Sequence, residues 1–456
     1  MAERTPAASS AHPYLPHTAA DVTTMLARLG LRDIDALFAE LPSAHRDPAI
    51  TLPPALAEAE IVQLLRERAA ENTASALRPH FIGAGAYRRF VPAIVPYLVS
   101  RSEFMTAYTP YQPEISQGTL QATFEFQSVV CELTGLDVAN AGMYDVASAT
   151  AEACLLAARV TGRAAVALLE PLHPNTIDVV RAYAFGANLR VDVLGAASEA
   201  GPEHACVVAQ QPDFLGAIAD VEAIAEAAHA AGALCVVVAD PFALGLLRAP
   251  GTAGADVVTG EGRDLAGPVA FGGPSLGLFA ARTAQLRQLP GRIVGRTHEL
   301  HGRDGAPPRA GYVLTLQARE QFIRRERATS NISTGQALVA LAFTIAVQAL
   351  GPQGLREAAA LCYQRAHAAA ARIAALRGYA VVERGPWFQE FLLRGPLPAA
   401  ELRTQLAARG IAGGLDVSAR AEPEARDALL LCVTEVTPDA HVDALVDALR
   451  AIAAER

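Results

Sequence analysis

The sequence predicts an α/β protein, with a large, mostly parallel sheet covered by helices and a smaller α+β domain at the C-terminal end. Three observations carry that expectation. Between residues 164 and 239, short apolar runs bounded by Gly or Pro alternate with helical stretches of crossover length, the pattern of parallel strands buried on both faces. The run LCVVVAD at 234–240 reads as a fully buried strand, and it ends in Asp240, at the strand end where such sheets place ligand groups. Beyond Gly351 the grain becomes helix, two strands, helix, strand, helix, which suits a compact second lobe.

Taken in order, residues 1–13 are rich in Ala, Ser and Pro and read as a disordered extension. Residues 14–75 read as a helical arm. Thr18 caps a helix to Leu29, with Asp21 at its third position and Val22, Met25, Leu26 and Leu29 on one face, and Gly30 stops it. Shorter helical stretches follow at 33–41 and 58–72. The large α/β domain is expected over 76–330, with strands at 164–169, 191–194, 205–209 and 234–239 and helices at 177–185 and 221–231. Residues 331–456 hold a linking helix and the small α+β domain. The linking helix, 334–350, is apolar on most sides and is broken by Gly351, Pro352 and Gly354. Then come a helix at 355–376, strands at 380–383 and 390–393, a helix at 399–409, a strand at 429–433 and a helix at 438–454.

Composition narrows the function classes. Of 456 residues, 52% are hydrophobic and 19% charged, enough to bury a sizeable core and too apolar for a disordered chain. A formal net charge of −9 argues against a nucleic-acid partner, whose phosphates call for clustered cations. Every basic charge other than histidine is arginine, because the chain contains no lysine. Its heavy use of Ala, Arg, Gly and Pro fits a compositional bias better than thermal adaptation. The six cysteines have no CxxC or Cys/His metal spacing, and they read as small buried hydrophobes of a reducing compartment. No apolar run reaches a membrane span uninterrupted, and the first residues lack a signal peptide's pattern, so a soluble cytoplasmic protein is expected.

Several segments stand out as sites. FIGAGAYRRFVP (81–92) holds a GxG pair, but no ribose-binding acid follows it in a strand–helix unit, so it reads as a tight turn shaping a surface. The stretch 106–127 sets Tyr108, Thr109, Tyr111, Gln112, Glu114, Gln117 and Gln121 between prolines and a glycine. Such dense hydrogen-bonding groups on a stiff loop point to a binding site, against the alternative of a solvated turn entering a helix. Ser148 and Thr150 stand where hydroxyls precede a helix and either hold a phosphate or act as ordinary caps. His173 beside Pro174 either stacks on a ring or is a turn histidine, and Asp240 either meets a pyridinium nitrogen or caps the next turn. The glycine-rich run 260–280 demands close approach of its backbone to a ligand or a partner subunit. In 324–338, Ser330 and Asn331 are weaker candidates, with a solvated helix leading to the cap of the long helix as the plain alternative.

Together the strings YLPHT (14–18), FIGAGAY, YTPYQPEISQGTLQATFEFQ, CELTGLDVANAGMYD (131–145), GEGRDLAGPVAFGGP and ATSNISTGQAL resemble the glycine cleavage system P-protein, subunit 1 of its two-chain form, along nearly the whole chain. The resemblance implies the fold type I pyridoxal-phosphate-dependent transferase architecture. It implies decarboxylation of glycine, with the aminomethyl group passed to the lipoyl arm of H-protein and the cofactor as electron sink. It also implies that the Schiff-base lysine belongs to subunit 2, most simply in an α2β2 heterotetramer.

In this chain the lysine's place falls near Arg263, whose guanidinium stays protonated and is a poor nucleophile. Ser148, Thr150, His173, Asp240 and Arg263 are then vestigial cofactor positions, and the cofactor sits in the partner with none bound covalently here. Tyr108, Thr109, Tyr111, Gln112, Glu114, Gln117, Ser330 and Asn331 become candidates for lining the partner's active site, with no metal involved. The alternative is a non-catalytic pseudoenzyme subunit that only stabilises or regulates its partner. An independent enzyme holding the cofactor non-covalently has no support in the residues.

Overall fold

The structure is a computed structural model that describes residues 14, 17–46, 51–72, 78–105, 107–270, 272–302, 306–316 and 321–455. The extension expected at 1–13 lies outside the described residues, as does Thr106. The chain divides into two units, Met1–Asn72 and Thr73–Arg456.

In the first unit, α1 (Ala19–Leu29) and α2 (Glu58–Ala70) are separated by single-turn helices at Ile34–Phe38 and Ser43–His45. Thr18 and Asp21 form the expected reciprocal cap. The Asp21 N–H donates to Thr18 Oγ1 at 3.2 Å and the Thr18 N–H to Asp21 Oδ2 at 2.8 Å. No residue of α1 or α2 is buried, and of the apolar face that the periodicity marks on α1, Val22 and Leu26 are half-buried.

The second unit begins with α3 (Ile94–Val99), α4 (Ser102–Met105) and α5 (Gln117–Thr134). A seven-stranded sheet follows, built from β1 (Val138–Ala139), β2 (Ala165–Leu169), β3 (Arg190–Leu194), β4 (His204–Gln211), β5 (Leu234–Ala239), β6 (Val257–Glu261) and β7 (Gly277–Ala281) in the order β1-β7-β6-β5-β4-β2-β3. Strands β3, β2, β4, β5 and β6 are parallel, and β7 runs antiparallel between β6 and β1. Between the strands lie α6 (Val146–Thr161), α7 (Pro174–Ala187), α8 (Val221–Ala230) and the short α9 (Arg263–Ala266).

Both faces of this sheet are covered, which is why its strands read as unbroken apolar runs. On β5, Cys235, Val237 and Ala239 join the core that holds Phe126 of α5 and Phe343, while Val236 and Val238 join the core that holds Leu156 of α6 and Ile177 of α7. Each fully buried valine here contributes about 1.5–3 kcal/mol of apolar transfer. The middle strand therefore locks the layers, and its carboxyl end is presented to the space where the chain crosses over.

Next come the hairpin β8 (Ile293–His298) and β9 (Ala310–Thr315), then α10 (Ala337–Ala374). Helix α10 begins at Ala337, later than expected, and Gly351 departs from helical geometry at φ 65°, ψ 177°, just before Pro352. Among the described residues it is the one helix long and apolar enough to cross a membrane, but it threads two cores, with Phe343 in the first and Ala366 and Ile373 in the second. That second core lies on the antiparallel sheet β10-β11-β13-β12, formed by β10 (Ala380–Val382), β11 (Glu390–Arg394), β12 (Leu415–Asp416) and β13 (Leu429–Cys432), and includes α11 (Ala399–Ala408) and α12 (Asp439–Ala454).

Two glutamines of α5 hold the β8–β9 hairpin. Gln117 accepts from the Tyr312 N–H and donates to its carbonyl, and Gln127 does the same for Val294, all at 2.9–3.0 Å. Each amide thus replaces one rung of a missing neighbouring strand.

Candidate functional site

The loop entering α5 forms one wall of a cavity of about 250 Å³. Thr109 and Pro110 line it from the loop, Thr123 and Phe126 from α5, Arg292 from the approach to β8, and Ser333 and Thr334 from the segment before α10. Arg292 ties these pieces together. Its Nη1 donates to Thr109 Oγ1 at 3.4 Å, and its Nη2 donates to the Tyr111 hydroxyl at 3.3 Å and the Ser333 carbonyl at 3.1 Å. The Arg292 guanidinium also faces the Tyr111 ring, 5.5 Å from its centroid. Tyr144 closes the set, its hydroxyl 3.2 Å from Ser333 Oγ and accepting the Ser333 N–H at 3.1 Å.

Of the residues singled out on this loop, Tyr108 lines the cavity yet remains 83% exposed, and Thr109 and Tyr111 meet Arg292. Gln112 and Glu114 are exposed. Gln117 is a pin for Tyr312 rather than an open ligand group, since both ends of its amide are engaged by that residue's backbone. Ser330 turns inward and donates to the buried Glu152 at 2.9 Å, Asn331 is exposed, and the residues of this segment that line the cavity run from Ile332 to Gly335, with Ala337 and Leu338. The plain alternative, a solvated helix leading to the cap of the long helix, holds for the helix, since Gln321–Arg327 is helical and exposed from Phe322 on, but not for the cap. Ser330 is buried, and Gln336, at the cap position, makes no side-chain cap bond. Arg292 carried no local signal in the sequence.

A second constellation lies over the carboxyl ends of the parallel strands, and the 81–92 segment builds it. The tight turn expected from its glycines is present, the Ala86 N–H donating to the Gly83 carbonyl at 3.3 Å, but it is built into the interior rather than shaping a surface. Phe81 is fully buried and exchanges hydrogen bonds with the small lobe, its N–H to the Ala412 carbonyl (2.8 Å) and its carbonyl from the Cys432 N–H (2.9 Å). Residues 83–89 then cross the strand ends as a strap. Gly83 has no room for a side chain, because a Cβ there would stand 2.5 Å from Glu390 Oε1. Gly85, at φ +88°, lies against the His173 ring, where a Cβ would approach to 3.2 Å.

The strap engages the polar groups beneath it one after another. His173 Nδ1 accepts the Asn175 N–H at 3.2 Å, so its Nε2 carries the proton and donates to the Ala84 carbonyl at 3.1 Å. Burial lowers the His173 pKa and favours that neutral form. Arg263 Nη2 donates to the Gly85 carbonyl at 3.1 Å, and its Nε bonds Asp264 at 3.0 Å. The Tyr87 N–H donates to Asp264 Oδ2 at 3.0 Å. Arg89, 7% exposed, places Nη2 3.3 Å from Asp240 Oδ2 and Nη1 3.2 Å from Glu435 Oε2, with its guanidinium 3.7 Å above the Phe242 ring. Asp240 also accepts from Gln389 Nε2 at 3.2 Å and caps its own turn through the Phe242 N–H at 2.9 Å.

Ser148 and Thr150 correct another expectation, since α6 begins at Val146 and both lie inside it. Asp145 is the cap, its carboxylate taking the Ser148 N–H at 2.7 Å, and Thr150 Oγ1 is 2.9 Å from the buried Thr259 Oγ1. Of the 260–280 glycines, Gly260, Gly262 and Gly277 are explained within the chain, whereas Gly267, Gly272 and Gly273 have open space where a Cβ would stand. A Cβ at Gly260 would meet the Ala239 carbonyl at 2.6 Å, and one at Gly277 the Asp145 carbonyl at 2.4 Å, so β6 and β7 account for the close approach.

Two buried carboxyls beside the strap make stability depend on pH. Burial pushes Glu390 up to about 7, against the opposing bonds from the Ala84 N–H and the Tyr87 hydroxyl. Glu261 is raised to about 7 for the same reason, opposed by the Leu276 N–H and Arg263. A carboxyl whose folded pKa is raised binds more protons folded than unfolded, so its stabilisation is full at low pH and is lost as pH rises through the folded pKa. Denaturant titrations should therefore show stability falling between about pH 4.5 and about pH 7 from these groups. The loss should be on the order of 3 kcal/mol per group, and Glu390→Gln should remove its share of that slope.

With the geometry in hand, comparison with known proteins gives consistent results. The family model described as glycine cleavage system P-protein matches residues 12–449. A probable glycine dehydrogenase (decarboxylating) subunit 1 from Thermomicrobium roseum is 46% identical over 449 residues, covering 96% of this chain and 99% of the relative. The protein of the same description from Moorella thermoacetica is 47% identical over 455 residues, covering 97% and 100%. Among solved structures, a glycine decarboxylase (P-protein) of the glycine cleavage system in inhibitor-bound form superposes with a TM-score of 0.86 at 42% identity, over 97% of this chain and 100% of that one. Sphingosine-1-phosphate lyase from Burkholderia pseudomallei shares the fold at 16% identity, with a TM-score of 0.62 over 91% of this chain and 96% of that one.

Proposed function

The chain belongs to the glycine cleavage system P-protein family, in its subunit 1 branch and with the type I pyridoxal-phosphate-dependent transferase fold, and from that premise we propose that it supplies half of a composite active site. In this reading glycine is decarboxylated and its aminomethyl group is passed to the lipoyl arm of H-protein by a cytoplasmic α2β2 assembly with subunit 2. The cofactor, held through a lysine of the partner, supplies the electron sink. This chain's part is to bind, orient and exclude water.

The observation that carries the proposal is the cavity behind the loop entering α5. Its mixed wall, apolar from Phe126 and polar from Thr109, Arg292 and Ser333, suits an aliphatic arm with a polar reacting end. Arg292 fixes the loop from behind, so the hydroxyls are ordered before a substrate arrives. Tyr108 stands exposed beside it, where an aromatic of that size is costly to leave in water unless a partner covers it. Glu114 and Gln112 lie on the same exposed loop.

The test is reconstitution with a lysine-bearing subunit 2 of the same family. Purified alone, this chain should show no exchange of the glycine carboxyl with bicarbonate, and exchange should appear on mixing. Exchange by the chain alone, or failure of the two chains to associate, overturns the assignment.

A further inference from the structure

We infer that the strap at 83–89 fills, from within the chain, the cleft in which this fold holds pyridoxal phosphate, so that the missing lysine is only one of several barriers to the cofactor. The inference stands apart from the proposed role with subunit 2. It concerns only whether this chain's own residues fit the group, and they do not.

A phosphorylated pyridine bound over these strand ends needs an anion cradle, a carboxylate for its ring nitrogen, a face to stack on and an amine. Each place is already taken. At the start of α6, where free N–H groups would receive the phosphate, the Ser148 N–H donates to Asp145 Oδ1 at 2.7 Å, and Glu261 Oε2 lies 3.4 Å from the Val146 nitrogen. A phosphate placed there would face two carboxylates. Asp240 has its oxygens engaged by the Arg89 guanidinium, the Gln389 amide and the Phe242 N–H. Arg89 thus provides the positive charge that a protonated ring nitrogen would bring. His173 is turned to the Ala84 carbonyl, with Gly85 against its ring and Phe214 at its edge, 4.9 Å between centroids. Arg263, in the place that the family resemblance gives to the amine, bonds the strap's Gly85 carbonyl and Asp264.

The strap is not a loose cover that a ligand might lift. Its start is paired with the small lobe through Phe81, its middle is held by Glu390, which takes the Ala84 N–H and the Tyr87 hydroxyl at 2.7 Å each, and its end is held through the Phe90 N–H on Glu435 at 2.8 Å. Displacing it would strip a buried cation from two carboxylates. Restoring the amine alone leaves all of this in place.

Two measurements test the inference on the full chain. Arg263→Lys incubated with millimolar pyridoxal phosphate should show no imine absorbance beyond that of the unaltered chain, whose α-amine also reacts, and no mass addition at position 263 after borohydride reduction. Because an ill-placed lysine would also fail to form an imine, the unaltered chain is titrated with pyridoxamine phosphate, which needs no lysine. Equilibrium dialysis should show no saturable binding at millimolar ligand, and the melting temperature should not shift. A mass addition at position 263 in the variant, or saturable pyridoxamine phosphate binding by the unaltered chain, overturns the inference. Absence of both upholds it, whatever the outcome with subunit 2.

Discussion

Substituting Arg89 with alanine should lower the unfolding free energy by about 3–5 kcal/mol, the cost of leaving buried charges without their partner. Burial alone pulls the Arg89 pKa down, but the surrounding acidic groups, Asp240 and Glu435 among them, reverse the direction, so the guanidinium stays charged. Removing it strands two carboxylates at once, side chains 14% and 5% exposed, and also removes the cation from the Phe242 ring. Arg89→Met should restore volume without charge and recover little. Combining Arg89→Met with Asp240→Asn and Glu435→Gln should recover most of the loss, because the acids no longer need a counter-charge. Urea denaturation of the four proteins checks this. If Arg89→Ala unfolds within 1 kcal/mol of the parent, roughly the worth of an exposed ion pair, then the cluster does not hold the lobes together.

The second large effect should fall on activity. Arg292→Ala, in the chain reconstituted with subunit 2, should lower kcat/KM for glycine by about 100-fold while moving the melting temperature little, since misplacing positioning groups by an ångström costs about that much. One side chain here orients Thr109, Tyr111 and the segment at Ser333, and its loss frees all three. Arg292→Lys should recover only part, because one ammonium cannot span groups that a planar fork reaches from two nitrogens. An Arg292→Ala assembly that forms normally and keeps full activity would instead favour a subunit that stabilises its partner without shaping the reaction.

What was legible in the sequence follows from how local its cause is. The buried strand at 234–239 coincides with β5, and the capping box at Thr18 and the break at Gly351 stand where their residue types put them. Strands β6 and β7 are not legible because Gly260 and Gly277 inside them, required by close backbone approach, mark a glycine-rich run rather than an apolar one. The start of α6 is ambiguous in the sequence because Asp145 and Ser148 are both capping types three residues apart, and the structure uses Asp145. Arg89 could not be seen at all. Its partners lie 151 and 346 residues away, and no periodicity or turn chemistry links positions so far apart. Arg292 and the glutamine pins on α5 were illegible for the same reason.

The pairing of Phe81 with Cys432, and of Arg89 with Glu435, also governs the order in which a chain can be finished during synthesis. The seven strands of the large sheet are complete once residue 281 has emerged. At that stage the acid at the end of β5 has no small lobe against which the strap can settle. Only when β13 and the turn at Glu435 leave the ribosome can the strap be sewn down from both ends. The last fifth of the chain is what closes a cleft opened by its middle, so a protein cut short after the large sheet would carry an unsealed interior to whichever chaperone or protease meets it first.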